Sequence, residues 1–230
     1  MLAGLTLLAV YLALGIPVAI VGIPWTVVTG DPSFVYRSAL AVVRVGLRAA
    51  RIRLEVEWRA PLDPERKYLF FSNHVSNLDP PVLLPLLPGR TSIFIKRSLL
   101  KVPVLGYGMK LVNFIPVDRD GSVEGAKQSV EAAVAALAAG VHVTSFVEGT
   151  RSPDGKLLPF KKGPFFLAME SGAAVVPVTI LGTEKLMAKG SMKVHSGTAR
   201  VIFHAPIEPK DYATREELMA AVREAIQSAS

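Results

Sequence analysis

The sequence predicts an α/β fold, a mixed and largely parallel sheet flanked by helices, preceded by an N-terminal hydrophobic helical anchor. Beyond residue 50, short runs rich in β-branched and aromatic residues alternate with stretches of helical periodicity, and this alternation is typical of a sheet covered on both faces. Before residue 31 no side chain is charged, which is typical of a segment that contacts lipid. We therefore expect two parts: residues 1–50 as membrane-anchoring helices and residues 51–230 as one α/β domain.

Each element of the domain follows from its local pattern. Strands are expected at residues 52–58, 67–72, 91–95, 113–117, 141–147, 174–180 and 199–204. Helices are expected near residues 79–86, 98–111, 122–139, 163–171 and 214–228. Thr214 and Glu217 have the spacing of a capping box, which marks the start of the last helix.

The charge balance and composition exclude several classes of protein. The chain has 26 Lys and Arg against 19 Asp and Glu, a formal net charge of +7, and half of its residues are hydrophobic. That hydrophobic content excludes a disordered chain, and the absence of cysteine excludes a disulfide framework, a thiolate metal site and a cysteine nucleophile. A basic chain with positive mean hydropathy favours a membrane surface as partner. Few aromatic residues accompany the basic ones, so no nucleic-acid partner is expected.

The uncharged N-terminal segment is long enough to cross the hydrocarbon core of a bilayer, about 30 Å thick, if it is helical. It lacks the basic residues that precede the apolar run of a signal peptide. Two Gly-Ile-Pro repeats, at residues 15–17 and 22–24, are expected to kink the helix. Whether residues 1–30 span the bilayer or enter one leaflet as a kinked hairpin is left open by the pattern.

An arginine-rich stretch follows the apolar segment. Residues 31–60 contain six arginines, no lysine and three acids. On a helix, four of the arginines would form a cationic stripe and three aliphatic residues an apolar one: Arg37, Arg44, Arg48 and Arg51, against Leu40, Val43 and Leu47. This pattern is typical of a helix in the headgroup region, although a solvated face of an ordinary surface helix has the same arginine spacing. Positive charge beside the anchor places the remaining chain on the cytoplasmic side of the cell membrane.

The residues after each predicted strand are the first candidates for a functional site, because ligands of α/β sheets bind beyond the carboxyl ends of strands. The strand ending near Ser72 leads into His74 and, five residues later, Asp79. Across a strand-to-helix turn, the carboxylate could accept from Nδ1–H and leave Nε2 as a general base. In the alternative interpretation, His74 caps the turn and Asp79 only starts a helix.

Three other strand ends carry cationic groups. The strand at 141–147 leads into Glu148, Gly149, Thr150 and Arg151, and an arginine can grip a phosphate with two parallel hydrogen bonds. The strand at 113–117 leads into Asp118 and Arg119, and the strand at 91–95 leads into Lys96 and Arg97. At one edge of the sheet these groups would form an anion site.

Several enzyme classes are excluded by missing motifs. The sequence has no G-x-S-x-G elbow of a serine hydrolase, no H-E-x-x-H zinc motif, and neither of the glycine-rich loops that bind nucleotide phosphates. No metal ligand set is therefore expected.

Four segments, in order, resemble the motifs of the glycerolipid acyltransferases. They are Asn73–Pro80, Gly108–Arg119 ending in NFIPVDR, Phe146–Ser152 (FVEGTRS) and Val175–Ile180 (VVPVTI). The resemblance covers roughly residues 55–205, and the closest subfamily is the bacterial 1-acylglycerol-3-phosphate acyltransferases. It implies the glycerolphosphate acyltransferase-like version of the α/β fold and a role in phospholipid biosynthesis.

The resemblance also implies a mechanism and a set of site residues. His74, oriented by Asp79, would remove the proton from the 2-hydroxyl of lysophosphatidic acid, and the oxygen would attack the thioester of acyl-CoA or acyl-carrier protein to give phosphatidic acid. No cofactor beyond these co-substrates is expected. The acceptor's phosphate would be held by Arg119, Arg151 and Lys96. Supporting roles would fall to Asn73, Glu148, Gly149, Thr150 and Pro177.

Three alternatives stay open at this stage. The same chemistry could act on another lysolipid, for example lyso-ornithine lipid. A non-catalytic lipid-binding membrane protein could share the fold. A lipid hydrolase could use His74 to activate water.

Overall fold

The computed structural model describes residues 2–118 and 123–229. Within these residues the chain forms eight α-helices and seven strands, joined by short loops and three 3₁₀ turns (Leu84–Leu86, Arg97–Lys101 and Pro209–Asp211). The helices are α1 Leu2–Thr29, α2 Ser33–Ala49, α3 Asp79–Leu83, α4 Leu105–Leu111, α5 Val123–Ala138, α6 Lys162–Ser171, α7 Thr183–Leu186 and α8 Arg215–Gln227. The strands are β1 Ile52–Trp58, β2 Leu69–Ser72, β3 Thr91–Lys96, β4 Ile115–Val117, β5 His142–Phe146, β6 Val175–Leu181 and β7 Gly197–Phe203.

The strands form one sheet in the order β1-β7-β6-β2-β5-β3-β4. Neighbouring strands are parallel except β6 and β7, which are antiparallel. The short strand β2 lies between β5 and β6, with Ser72 opposite Phe146 on one side and Val178 on the other. The loops that follow these three central strands therefore leave the same edge of the sheet.

The fold class predicted from the sequence is confirmed: the sheet is mixed, mostly parallel and covered by helices on both faces. Each predicted strand is present within a few residues, and the capping box at Thr214 and Glu217 is formed. The predicted helix at 98–111 is wrong as a single element. It is divided into a 3₁₀ turn and α4 by Pro103, which has no N–H to donate, and by Val104, whose φ of 63° is left-handed.

The core has two halves because alternate residues of a strand face opposite sides of the sheet. Phe70 packs on one side with residues of α2 and α3, among them Leu47 and Val82. Leu69 and Phe71 pack on the other side against residues of α5, α6 and α8. Both faces of β2 are thus buried, which fixes the position of the loop that follows it.

The first two helices form an antiparallel hairpin held by close contacts at two glycines. A Cβ on Gly22 would lie 3.0 Å from the Val35 side chain, and a Cβ on Gly46 would lie 2.6 Å from the Tyr11 ring. Helix α1 runs without interruption through Pro17 and Pro24, so the kinked hairpin considered within residues 1–30 is absent. Its 28 residues would extend about 42 Å, enough to cross a bilayer by length and composition, and most of its surface is exposed.

Helix α2 differs in part from the sequence interpretation. Arg51 lies beyond the helix end, with a φ of 56°, and so is not part of the arginine stripe. Leu47 is 2% exposed and packs in the core of the domain, while Arg44 Nη2 donates to Pro85 O at 2.6 Å. The apolar face of α2 therefore packs against the sheet and its helices rather than facing lipid. The boundary between residues 50 and 51 stays a prediction.

Two buried histidines have structural roles. Burial lowers the pKa of both His142 and His204 to about 4, so each is neutral near pH 7. His142 Nδ1 accepts from Tyr68 N at 3.1 Å. His204 Nε2 donates to Thr179 Oγ1 at 2.8 Å, and that hydroxyl donates to Ile226 O at 3.1 Å. The hydrogen bonds through the Thr179 hydroxyl hold the end of α8 against β6.

Candidate active site

The loop after β2 is joined to β6 by a side-chain amide. Asn73 Nδ2 donates to Ile180 O at 2.9 Å and its Oδ1 accepts from Ile180 N at 2.7 Å. The amide thus takes the place of a strand residue one position beyond Ser72. Because Asn73 is only 5% exposed, both bonds are shielded from water and fix the start of the loop.

His74 and Asp79 are in direct contact at the carboxyl end of β2. His74 Nδ1 lies 2.7 Å from Asp79 Oδ2, the histidine side chain is 13% exposed, and the carboxyl group has no exposure. The same oxygen accepts from the backbone N–H groups of Val75 at 2.7 Å and Ser76 at 2.8 Å. The turn between the two residues therefore wraps around the carboxyl group, which is what their five-residue spacing permits.

The second carboxyl oxygen of Asp79 is held by a residue that the sequence interpretation missed. Thr183 Oγ1 donates to Asp79 Oδ1 at 2.5 Å. Thr183 opens α7 immediately after β6, and the preceding Gly182 has a φ of 86° and approaches Thr198 O so closely that a Cβ would lie 2.7 Å from it. The sequence signal that could have found Thr183 was its position just after a strand, because residues at strand ends were the candidates among which His74 was identified.

The hydrogen-bond pattern determines which histidine nitrogen can act as a base. A carboxylate only accepts hydrogen bonds, so the contact with Asp79 places the proton of neutral His74 on Nδ1. Among the described residues, Nε2 has no hydrogen-bond partner, and its lone pair can accept a proton. The ring stacks on Phe146, with centroids 4.2 Å apart and planes 20° apart, so its orientation is fixed on a second side.

Glu148 connects the loop after β5 to the loop after β2. Its side chain is 1% exposed; Oε1 accepts from His74 N and Oε2 from Leu158 N, both at 2.7 Å. Burial raises the pKa of Glu148, and these two backbone N–H groups lower it. In return, Ser152 N donates to His74 O at 2.7 Å. His74 is thus held at both its backbone N–H and its backbone C=O by the β5 loop.

The β5 loop also carries an arginine with an unpaired nitrogen. Gly149 has a φ of 68°, and a Cβ there would lie 2.9 Å from the Lys161 side chain; Thr150 is exposed. Arg151 Nη1 is buried and has no hydrogen-bond partner among the described residues. A buried guanidinium nitrogen needs an acceptor. Arg215 Nε, at the start of α8, is also buried and, in the part of the chain that the structure describes, unpaired, but only Arg151 belongs to the loop that holds His74, so Arg151 is the group suited to an anionic ligand at this site.

Three residues of the expected site are placed differently or cannot be placed. Lys96 is the exposed last residue of β3, and β5 separates that strand from β2. Pro177 is buried inside β6 opposite Phe71, away from the strand end. Arg119 lies outside the described residues. No group of three or more His, Cys, Asp or Glu side chains in the described ranges could hold a metal ion, and the absence of a cofactor stays a prediction.

Comparison with known proteins identifies the family. The sequence profile of the family described as Acyltransferase matches residues 53–181. The crystal structure of the 1-acyl-sn-glycerophosphate (LPA) acyltransferase PlsC from Thermotoga maritima superposes with a TM-score of 0.79 at 25% identity, covering 98% of this chain and 93% of that one.

Curated relatives carry the same enzyme name. A chloroplastic 1-acyl-sn-glycerol-3-phosphate acyltransferase of Arabidopsis thaliana is 40% identical over 60% of this chain and 39% of its own length. The human 1-acyl-sn-glycerol-3-phosphate acyltransferase alpha is 32% identical over 74% of this chain and 59% of its own. The chain thus spans about two fifths to three fifths of these relatives. Since the family profile covers more than half of the 230 residues, the chain belongs to the Acyltransferase family.

Proposed function

We propose that this protein is a membrane-bound enzyme that transfers a fatty acyl group from a thioester donor to the 2-hydroxyl of lysophosphatidic acid, forming phosphatidic acid. The observation that carries the proposal is the contact between His74 Nδ1 and the buried Asp79 carboxyl group, which leaves Nε2 as a base. The names of the relatives support the acceptor, because they are 1-acyl-sn-glycerol-3-phosphate acyltransferases.

In the proposed reaction His74 acts first as a base and then as an acid. Nε2 takes the proton of the acceptor hydroxyl while the oxygen attacks the thioester carbonyl carbon. The resulting imidazolium is stabilised by Asp79, as in other histidine–carboxylate pairs. When the tetrahedral intermediate collapses, the C–S bond breaks, the ester forms, and the thiolate receives the proton from Nε2. Proton and leaving group are balanced without a covalent enzyme intermediate.

The acceptor's phosphate is assigned to the cationic side of the site. Arg151 has the buried unpaired Nη1 and lies next to Ser152, whose N–H bonds the His74 carbonyl. In the proposed complex, a phosphate on Arg151 has its adjoining glycerol hydroxyl at His74. We include Arg119 and Lys96 as further phosphate contacts. Either acyl-CoA or acyl-carrier protein meets the chemical requirement for a thioester donor.

Helix α1 is proposed to hold the enzyme on the cytoplasmic side of the membrane. Its outward side chains are large and apolar: Leu5 is 61% exposed, Ile16 50% and Ile20 67%. Side chains of this type are stable in the lipid boundary region, where the lysolipid acceptor also resides.

His74→Ala should lower kcat for acyl transfer by about 10²–10⁴-fold, because a positioned general base contributes about that factor. The measurement is labelled acyl transfer to lysophosphatidic acid, with acyl-CoA and acyl-carrier protein compared as donors. The matched control is His195→Ala, since His195 is exposed in a loop and should leave kcat unchanged. Retention of more than a tenth of wild-type kcat by a folded His74→Ala protein would exclude the general-base role. Free fatty acid released without acceptor would instead indicate a hydrolase.

Arg151→Ala should raise the KM for lysophosphatidic acid by about 10–100-fold, because a hydrogen bond to a charged group contributes about 1.5–3 kcal/mol. The KM for the donor should change little. Lys156→Ala is the control, because Lys156 is an exposed cation of the same loop. Equal increases in both KM values would argue against a phosphate contact at Arg151.

Three glutamates on the exposed face of α1 should release the protein from membranes. The variant is Leu12→Glu, Ile16→Glu and Ile20→Glu, and these side chains are 50–67% exposed, so the hairpin contacts stay intact. The same change in charge on α5, at the exposed Ala132, Ala135 and Ala138, is the control and should leave the protein bound. Sedimentation with vesicles in high salt measures the effect. A triple α1 variant that still sediments fully would contradict anchoring by this face.

A further inference from the structure

The C-terminal helix α8 reaches the loop that carries Glu148 and Arg151 through one side chain. Arg223 Nη2 donates to Leu158 O at 2.5 Å, and its guanidinium carbon lies 4.3 Å from the centre of the Phe160 ring. Arg223 lies beyond the segment that the family profile matches, residues 53–181. The motifs in the loops after β2 and β5 therefore do not include this arginine.

Leu158 links this arginine to the base. Its backbone C=O accepts from Arg223, and its backbone N–H donates to Glu148 Oε2. The other oxygen of Glu148 accepts from His74 N. A series of hydrogen bonds thus runs from α8 through the backbone of one residue, Leu158, and one buried carboxyl group to His74, the proposed base.

The charge of Arg223 also acts on Glu148. A protonated carboxyl group would lose acceptor capacity, and burial raises the pKa of Glu148. The backbone N–H groups of Leu158 and His74 lower it, and the positive charge of Arg223 on α8 lowers it further, as the protonated form of His74 on the β2 loop would. The aliphatic part of Lys161 lies against the adjoining Gly149.

Helix α8 is a rigid support for such a contact. Val222 and Ile226 have no solvent exposure, and Ile226 O accepts from the Thr179 hydroxyl of β6. Arg223, between them in sequence, therefore extends from a fixed helix, whereas the loop it contacts has little regular structure of its own between Val147 and Lys161.

We infer that Arg223 is a positioning residue for the proposed acyl transfer, holding Leu158 and, through it, the carboxyl group of Glu148, so that His74 keeps its place opposite Asp79. The inference rests on the proposed function. Helix α8 would then contribute to catalysis in addition to its role in folding.

The test compares Arg223→Gln and Arg223→Lys with Arg215→Gln, since Arg215 lies on the same helix and bonds to Glu216. Arg223→Gln should lower kcat about 10-fold, the loss expected for one hydrogen bond to a charged group, with donor KM unchanged. The loss should grow as pH falls, because Glu148 without its cation binds a proton at higher pH. Arg223→Lys should restore most of kcat and the pH profile. Arg215→Gln should match wild type.

Backbone amide exchange gives a readout that does not depend on turnover. The amides of His74 and Leu158 should exchange faster in Arg223→Gln than in Arg215→Gln, while amides of β2 and β5 stay protected. Equal kcat and equal exchange in the two glutamine variants would overturn the inference and leave the proposed function standing. A loss of kcat that Arg223→Lys does not restore, with an unchanged pH profile, would also overturn it. Wild-type protein without acyl transfer would overturn the proposed function itself.

Discussion

The buried carboxyl group of Asp79 is the constraint on which the rest of the site depends. A polar group without solvent exposure is stable only when its hydrogen-bonding capacity is met inside the protein. Here the partners are His74 Nδ1, two backbone N–H groups of the β2 loop, and the Thr183 hydroxyl. Meeting that requirement folds the turn after β2, brings the end of β6 beside it, and orients the imidazole. The hydrogen bonds of this one carboxyl group therefore fix the geometry of the β2 loop, the end of β6 and the imidazole ring.

The sheet fixes the points at which these loops begin. β2 is only four residues long, yet it lies between β5 and β6 with both faces buried, so the loops at its end cannot shift independently. Asn73 extends the ladder to Ile180, and Glu148 returns from β5 to His74 N. The exposed apolar face of α1 takes no part in these hydrogen bonds, so substitutions on that face should leave the arrangement of the site unchanged.

The sequence pattern predicted those features of the fold and the site that depend on contacts between residues close in the chain. The strands follow from runs of β-branched and aromatic residues, and the pairing of His74 with Asp79 follows from a spacing within one turn. The pairing of Thr183 with Asp79 and of Arg223 with Leu158 could not be found in this way, because the partners are distant in sequence and meet only through the strand order. Leu47 shows a related limit: an apolar helix face has the same pattern whether it packs on lipid or on a protein core. Pro103 and Val104 divide a helix whose periodicity alone indicated one continuous element.

The central claim is that neutral His74 carries its proton on Nδ1, facing Asp79, and presents Nε2 as the base. Nitrogen-15 NMR of histidine-labelled protein measures this directly, because protonated and unprotonated ring nitrogens have distinct chemical shifts. The chain has four histidines, and the His74 signals are those that disappear in His74→Asn. We expect a protonated Nδ1 and an unprotonated Nε2 in the neutral ring of His74. A neutral His74 with its proton on Nε2 would contradict this claim.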